Sequence, residues 1–292
     1  MNNIIEINNL VKSYGDLPVI KDLTFTVPEG SIFGFVGING SGKTTTMKMA
    51  LGLLSIDGGE ITIAGEKVVY GQTVKSVGYL PDVPEFYAYM KPMEYLTLCG
   101  EIAGMTRDEI NKRGKELLKL VGIKTKRKIG GFSRGMKQRL GIAQALLNEP
   151  KLLICDEPTS ALDPMGRKEI LDILTAVKGQ TTVIFSTHIL SDVERICDRV
   201  VFLHEGKAAL DGSLADVKKR RTDSYGIEFE SEKKAEECAA FFDGSELSEN
   251  IVTVKNADGA SIIKTLADSG LIPTKFELLE PSLEDLFLEA IT

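Results

Sequence analysis

One segment indicates the architecture of this chain: Gly37-Ile38-Asn39-Gly40-Ser41-Gly42-Lys43-Thr44. It follows an apolar run, residues 32–36, and precedes a helix-compatible segment, residues 45–54. A buried strand, a glycine-rich turn and a helix start are the context that the pattern G-x-x-x-x-G-K-[ST] requires. Glycines let successive backbone N–H groups point inward around phosphate oxygens, and the helix adds the positive end of its dipole. We therefore predict a site for a nucleoside triphosphate.

The positions of this segment have separate expected roles. Lys43 can reach the β- and γ-phosphates, and the Thr44 hydroxyl can bind Mg²⁺. The residues expected to surround the nucleotide here are Gly37, Ile38, Asn39, Gly40, Ser41, Gly42, Lys43, Thr44 and Thr45. The alternative is a glycine-rich turn that matches the pattern by chance, and the flanking strand and helix argue against it.

Length, charge and cysteine content restrict the class of protein. The 292 residues are long for one domain, so one large and one smaller domain are expected. A formal net charge of −7 argues against general affinity for nucleic acid. Four cysteines without C-x-x-C spacing favour a reducing compartment. The sequence lacks a signal peptide and a run of about eighteen apolar residues, so we expect a cytoplasmic protein, peripheral on the cytoplasmic face of a membrane if it meets one.

Strand and helix signals alternate along residues 1–220, which predicts an α/β domain. Two alternating segments, residues 4–11 and 23–27, indicate antiparallel strands ahead of the phosphate loop. A helical block at about residues 84–148 interrupts the pattern and contains Thr106-Arg107-Asp108-Glu109, a capping box. The apolar run at residues 152–155 predicts a central buried strand.

Residues 221–292 predict a small C-terminal α+β domain, which follows a charged joint at residues 218–221. The candidate strands are residues 225–230, 251–255 and 274–279, and the candidate helices are residues 233–242, 260–269 and 282–290. This part of the sequence contains no cluster of catalytic residue types.

An acidic pair, Asp156-Glu157, directly follows the predicted central strand. An acid at this place can hold Mg²⁺ through water, and the next carboxylate can polarise an attacking water as a general base. The alternative reading of an acidic pair after a strand is a helix cap or a turn. Together with the phosphate loop, the pair favours a site that hydrolyses its nucleotide.

A further set of motifs resembles those of the ABC ATPases. Residues 133–140, which begin with Ser133 and place Gly135 in a helical first turn, are similar to the ABC signature Leu-Ser-Gly-Gly-Gln. Residues 160–163, ending at Asp163, resemble the D-loop, and residues 186–188 resemble the segment of the switch histidine, His188. Tyr14 lies where the family places an aromatic residue that stacks on adenine. The resemblance implies an α/β P-loop NTPase fold of ABC ATPase type, with a mixed central sheet, an antiparallel β subdomain and an inserted helical subdomain.

The subtype follows from three shorter segments. Residues 79–82, 133–136 and 281–288 resemble ATP-binding subunits of bacterial ABC-2 type exporters, although the last segment also fits an amphipathic closing helix. Three positions depart from the family pattern, and the first is Phe132, which stands in place of the signature leucine. Arg134 occupies a glycine position of the signature, and Asp82 stands where the family has a glutamine. A carboxylate at residue 82 can accept from water or approach Mg²⁺, but it offers no amide donor.

The resemblance also implies how the site works. One chain supplies the phosphate loop for ATP, the Mg²⁺ ligands Thr44, Asp82 and Asp156, the general base Glu157 and the γ-phosphate sensor His188. A second ATPase subunit supplies Ser133 and Gly135 across a head-to-tail homodimer that ATP closes. Separate transmembrane permease subunits are then required for transport, and no nucleic acid partner is expected.

Alternatives remain for single residues and for the function. His188 also fits a core or capping histidine, and Tyr14 also fits an aromatic residue that packs against a turn. A soluble ABC ATPase acting on DNA or ribosomes is the second function class, but an acidic chain with a single cassette favours a transporter subunit. A P-loop kinase or GTPase outside the ABC family is the third class, and the signature and D-loop argue against it.

Overall fold

The computed structural model describes residues 2–125, 127–218, 224–255, 257–279 and 282–291. Two compact units divide the chain, one extending to Leu214 and one comprising Ala215–Ala290. The predicted boundary between residues 220 and 221 and most of the predicted charged joint lie outside the described residues. Pro281, which begins the predicted C-terminal motif, also lies outside them.

The first unit is built from strands and helices that alternate along the chain. Its strands are β1 (Asn3–Tyr14), β2 (Leu17–Pro28), β3 (Ile32–Val36), β4 (Gly58–Ile63), β5 (Glu66–Lys67), β6 (Val77–Leu80), β7 (Leu152–Asp156), β8 (Thr182–Thr187), β9 (Arg199–His204) and β10 (Lys207–Ser213). Its helices are α1 (Lys43–Ala50), α2 (Pro92–Ile102), α3 (Arg107–Leu120), α4 (Arg134–Ala145), α5 (Pro164–Ala176) and α6 (Leu190–Ile196), and α7 (Leu214–Lys218) follows.

The central sheet has the strand order β10-β9-β3-β8-β7-β6. Strands β9, β3, β8, β7 and β6 run parallel to one another, and β10 pairs antiparallel with β9. Every residue of β3, β7 and β8 is buried, which explains the apolar runs at residues 32–36, 152–155 and 183–185. Because parallel strands end at the same edge, the loops after β3, β7 and β8 meet there. This edge positions the site.

A second sheet, ordered β2-β1-β4-β5, is antiparallel and packs on α1 and the central sheet. Phe25 of β2 stacks on Phe33 and Phe35 of β3, with ring centroids 5.6 and 5.4 Å apart. Both strands of the β1–β2 hairpin are longer than their sequence signals, because pairing continues up to Tyr14 and Leu17 at the turn. The predicted α/β class, with a mixed sheet and an antiparallel subdomain, is confirmed.

Helices α2, α3 and α4 lie between β6 and β7 in the chain. The capping box that the sequence predicts is present at the start of α3, where Thr106 N donates to Glu109 Oε2 at 2.8 Å and Glu109 N donates to the Thr106 hydroxyl at 3.4 Å. Among the described residues, no helix is long and apolar enough to cross a membrane.

The second unit contains β11 (Ser224–Glu228), α8 (Glu232–Ala239), β12 (Glu246–Ser248), β13 (Ile251–Val254), α9 (Gly259–Ser269), β14 (Lys275–Leu279) and α10 (Leu283–Ile291). Its antiparallel sheet has the order β12-β13-β11-β14, a split β-α-β arrangement. The buried side chains of Ile227, Phe229, Val252 and Ile262 form its core. Strand β12 was not predicted, because three exposed residues give too short an alternation to recognise.

Candidate active site

The loop between β3 and α1 leaves no space for a side chain at two of its glycines, Gly37 and Gly42. A Cβ on Gly37 would lie 2.5 Å from Ser41 Oγ and 2.7 Å from the Leu203 carbonyl oxygen. Gly42, the residue before α1, has a φ of +105°, and a Cβ there would lie 2.5 Å from Ile20 Cδ1. The predicted loop therefore has the curved backbone that its glycines were expected to allow.

Lys43 is buried inside this curve, with 6% of its surface exposed. Its ammonium donates to the carbonyl oxygens of Gly37 at 2.7 Å and Ile38 at 3.2 Å. It also lies 3.2 Å from Glu157 Oε1. The loop, the lysine and the acid after β7 thus meet at one point of the sheet edge.

Asp156 joins three elements at the same edge. The Thr44 hydroxyl at the start of α1 donates to Asp156 Oδ2 at 2.8 Å, and the Ser186 hydroxyl at the end of β8 donates to Asp156 Oδ1 at 2.6 Å. Ser186 also accepts from the backbone N–H of Glu157 at 2.9 Å. Asp156 is only 3% exposed, so these contacts hold a charged oxygen pair that is otherwise cut off from water.

Glu157 stands between two cationic or proton-bearing groups. One carboxylate oxygen faces Lys43, and the other lies 3.0 Å from His188 Nδ1. A carboxylate only accepts hydrogen bonds, so Nδ1 carries the proton in this contact. The backbone of Glu157 has a φ of +48°, in the left-handed region that is uncommon for residues other than glycine. Such strain concentrates at functional sites.

A second, buried network lies behind these residues. The Thr159 hydroxyl donates to Asp192 Oδ2 at 2.7 Å, and Arg167 Nη2 donates to Asp192 Oδ1, also at 2.7 Å. Thr159 and Asp192 are almost fully buried. The network ties the segment after Glu157 to α6, which follows His188. Sequence reasoning missed Thr159, Asp192 and the role of Ser186 as a link; the signal that marks Ser186 is its place directly after the apolar run at residues 183–185.

Ser133 and Asp163 cap helices through local contacts, and a Cβ on Gly135 would lie 3.8 Å from Leu162 Cδ2. Ser133 is exposed and caps α4, where its hydroxyl accepts from Met136 N at 3.3 Å. Asp163 caps α5 in the same way, through Gly166 N at 2.9 Å. Among the described residues, no hydrogen bond or ion pair joins these three residues to the phosphate loop. The site predictions for them therefore depend on a second chain.

The Asp82 carboxylate faces the signature helix. Its Oδ1 lies 3.1 Å from Arg134 Nη2, and in the described part of the chain no hydrogen bond or ion pair joins it to Thr44 or Asp156. Burial raises the pKa of nearby Tyr79 to about 12, and the charges of Asp156 and Asp82 contribute to that rise. The predicted metal role of Asp82 stays a prediction.

Tyr14 ends β1 and is half exposed, with 51% of its surface accessible. The Lys12 ammonium lies 5.8 Å from the centre of its ring and forms an ion pair with Asp57 at 2.8 Å. The hydrogen bond from Lys12 is the main cause that lowers the pKa of Asp57. The Tyr14 ring thus has a cation on one side and accessible surface for a planar group.

Comparison with known proteins identifies relatives of the whole chain. A profile of the ABC transporter family matches residues 20–160. The uncharacterized ABC transporter ATP-binding protein YxlF of Bacillus subtilis is 37% identical over 298 residues, covering 99% of each chain. The bacitracin transport ATP-binding protein BcrA of Bacillus licheniformis is 36% identical over 305 residues, covering 100% of this chain and 98% of its own.

Solved structures agree with this relationship. The structure of an ATP-binding subunit of an ABC transporter matches with a TM-score of 0.70 and 27% identity, covering 99% of this chain and 100% of that one. The structure of CbiO1 from Clostridium perfringens, part of an ABC transporter complex, matches with a TM-score of 0.69 and 28% identity over 75% of this chain and 92% of that one.

Proposed function

This chain belongs to the ABC transporter family as an ATP-hydrolysing subunit that powers a membrane transporter, and we propose that Lys43, Thr44, Asp156 and Glu157 form its hydrolytic centre. The observation that supports this most is the position of the Glu157 carboxylate. It lies at the end of buried β7, between the Lys43 ammonium and the His188 ring.

The phosphate loop binds the triphosphate through its backbone N–H groups and Lys43. In the structure the Lys43 ammonium is held by carbonyl oxygens of the loop. Phosphate oxygens are stronger, charged acceptors, so they replace these carbonyls when the nucleotide enters. Tyr14 stacks on the base, because its ring is accessible at the adjoining hairpin end.

The residues also fit Mg²⁺. This ion prefers oxygen ligands, keeps several waters and needs only one or two carboxylates from the protein. Thr44 and Asp156 offer one hydroxyl and one buried carboxylate in direct contact, and the described residues contain no larger cluster of His, Cys, Asp or Glu that suits a different metal. When bound, Mg²⁺ neutralises phosphate charge. Asp82 is a further candidate ligand.

Glu157 acts as the general base. Its carboxylate accepts a proton from water as the water oxygen attacks the γ-phosphorus, and the bond from that phosphorus to the ADP oxygen breaks. His188 holds the carboxylate through its 3.0 Å contact and orients it toward the phosphate. Ser186 fixes the backbone of Glu157 and the side chain of Asp156 together.

The site is completed by a second copy of this chain. Ser133 caps α4 and Gly135 lies in its first turn, whose free N–H groups suit a phosphate. Among the described residues, no hydrogen bond or ion pair joins them to the phosphate loop of their own chain, so we assign them to the nucleotide of a partner subunit in a head-to-tail homodimer. ATP then joins the two subunits, and hydrolysis loosens them, so a chemical change becomes a mechanical one.

Transport itself requires membrane-spanning permease subunits, to which this chain binds on the cytoplasmic face. We assign export as the direction because of the ABC-2 type motifs, while the permease selects the substrate. Purification of the tagged chain from its own membranes tests this. We expect a multi-spanning protein to co-purify and ATP hydrolysis to depend on Mg²⁺. Quantitative recovery of the chain without a membrane protein would contradict the assignment.

A further inference from the structure

Two of the positions at which this chain departs from the family pattern, Asp82 and Arg134, contact each other. Arg134 Nη2 lies 3.1 Å from Asp82 Oδ1. Asp82 adds a negative charge where the family has a neutral glutamine, and Arg134 adds a positive charge where it has glycine. We propose that Arg134 is a positioning residue that holds and neutralises the Asp82 carboxylate, so that an acid at residue 82 is compatible with a phosphate-binding signature. This inference rests on the proposed homodimer.

The segment that contains Asp82 lies along one face of α4. Arg134, Gln138 and Gly141 are spaced i, i+4 and i+7, so they share that face. Gln138 is fully buried and its amide donates to the Asp82 carbonyl oxygen. A Cβ on Gly141 would lie 2.5 Å from Leu80 Cδ1. The segment therefore follows the helix closely from its first residue over two turns.

Residues 88–90, which continue the segment that contains Asp82, contact the chain just before the signature. Ile129 N donates to the Met90 carbonyl and Gly130 N to the Ala88 carbonyl, both at 2.9 Å. One stretch, residues 82–90, therefore contacts the chain on both sides of Ser133. It accepts backbone hydrogen bonds from residues 129 and 130 and contacts the Arg134 side chain. A change in charge at residue 82 therefore acts directly on the signature.

The charges at the start of α4 explain why a partner for Asp82 is needed. The first turn has no acidic residue and begins with Arg134. A helix N-terminus attracts anions, and we assign this one to the γ-phosphate of a partner's nucleotide. An uncompensated carboxylate beside it would repel that phosphate. The guanidinium cancels the charge, and the pair as a whole is neutral, like the glutamine and glycine of the family.

The pair is partly open to solvent, since the Arg134 and Asp82 side chains are 43% and 46% exposed. An exposed ion pair typically changes the equilibrium constant of the process in which it forms by a factor of about three. A homodimer contains two such pairs, so we expect a combined effect of about tenfold on its formation.

A double-mutant cycle in a Glu157→Gln background tests the proposal. We would measure the ATP concentration for half-maximal dimer formation by light scattering. Arg134→Gln should raise it about tenfold, and adding Asp82→Asn should return it to within about twofold of the parent. Arg134→Lys should preserve most of the parent behaviour. ATP affinity of the monomer should stay unchanged in the Arg134→Gln and Arg134→Lys variants.

Two outcomes would overturn the proposal. If Arg134→Gln has no effect, Asp82 needs no neutralisation. If the double variant remains as defective as Arg134→Gln, Arg134 acts on the phosphate by itself. Arg195→Gln with Asp172→Asn is the matched control, because that exposed ion pair at 3.3 Å lies outside the signature.

The monomer supplies a second test that does not need the dimer. The effect of the double variant on the equilibrium constant of unfolding should differ by about threefold from the product of the two single effects. A double effect equal to that product would show that the pair does not form. A parent that fails to dimerise with ATP would instead contradict the proposed homodimer, so the two failures are distinguishable.

Discussion

The Lys43 ammonium lies 3.2 Å from the Glu157 carboxylate, and these side chains are 6% and 13% exposed. The cation proposed to meet phosphate is therefore paired with the acid proposed to accept a proton. A triphosphate placed in the loop brings further negative charge to this cation, so it competes with Glu157 for Lys43. Binding of the nucleotide then frees the carboxylate for water.

Replacement of the proposed base should separate binding from chemistry. Glu157→Gln keeps the size of the side chain but cannot accept the proton, so turnover should fall by about 10²–10⁴-fold while ATP affinity is retained. Phosphate release and nucleotide titration measure the two effects, and an ATP-bound dimer should accumulate. Glu116→Gln on the exposed face of α3 is the control. Hydrolysis by Glu157→Gln at the parent rate would disprove the assignment.

Loss of the Ser186 hydroxyl should disturb both acids at once. Ser186→Ala leaves Asp156 Oδ1 and the Glu157 N–H without their partner at this position. Unpaired buried groups cost about 1–3 kcal/mol, so we expect that loss in the free energy of unfolding and a turnover lower by about tenfold. Denaturant titration and phosphate release check these values. Ser248→Ala, at an exposed serine of β12, should change neither.

The buried Asp192 network should contribute mainly to stability. Asp192→Ala removes the partner of Thr159 and of Arg167. Breaking a buried pair costs about 3–5 kcal/mol, and we expect about 2–3 kcal/mol here because Arg167 is 29% exposed. Chemical denaturation measures this loss. An unchanged midpoint would show that the network contributes nothing to folding.

Nucleotide affinity should depend on the Tyr14 ring. Tyr14→Ala removes the stacking surface, and base–aromatic stacking is worth about 1–3 kcal/mol, so ATP affinity should fall by at least about fivefold. Tyr14→Phe keeps the ring and should bind like the parent. Titration with a fluorescent ATP analogue distinguishes the cases. Equal affinity of Tyr14→Ala and the parent would favour a role in packing the turn.

An arginine in place of Ser133 should weaken dimerisation without affecting ATP binding by the monomer. Ser133→Arg removes the cap of α4 and obstructs the proposed phosphate contact, but Ser133 lies apart from the phosphate loop of its own chain. We expect weaker ATP-dependent dimerisation and nearly unchanged ATP affinity of the monomer. Parallel light scattering and nucleotide titration measure both. An equal loss of both would show that Ser133 belongs to the site of its own chain.

Structural features that depend on residues close together in the sequence could be predicted from it. The strand–loop–helix unit around Lys43 and the cap of α3 at Thr106 are such cases, because their patterns lie within a dozen residues. The place of Glu157 directly after a buried strand indicated that it belongs to the same site as Lys43, but its 3.2 Å contact with Lys43 could not be predicted. Contacts such as Asp82 with Arg134 join positions 52 residues apart, and periodicity contains no information about them.

Strand β12 and the link through Ser186 illustrate the remaining limits. β12 exists because Glu246–Ser248 pairs with β13, and its own residues have no recognisable alternation. Ser186 contacts Asp156 because β7 and β8 are neighbours in register. Sheet order is decided by packing of the whole unit, so local propensity could not supply either result.

The left-handed backbone of Glu157 has a consequence for how this protein can be engineered. A glycine at a φ of +48° would relieve backbone strain of about 1–3 kcal/mol, but it would delete the proposed base. A search for more stable variants would therefore select against the active enzyme at this position. Backbone stability favours glycine at residue 157, whereas the proposed catalysis requires glutamate, and the chain has glutamate.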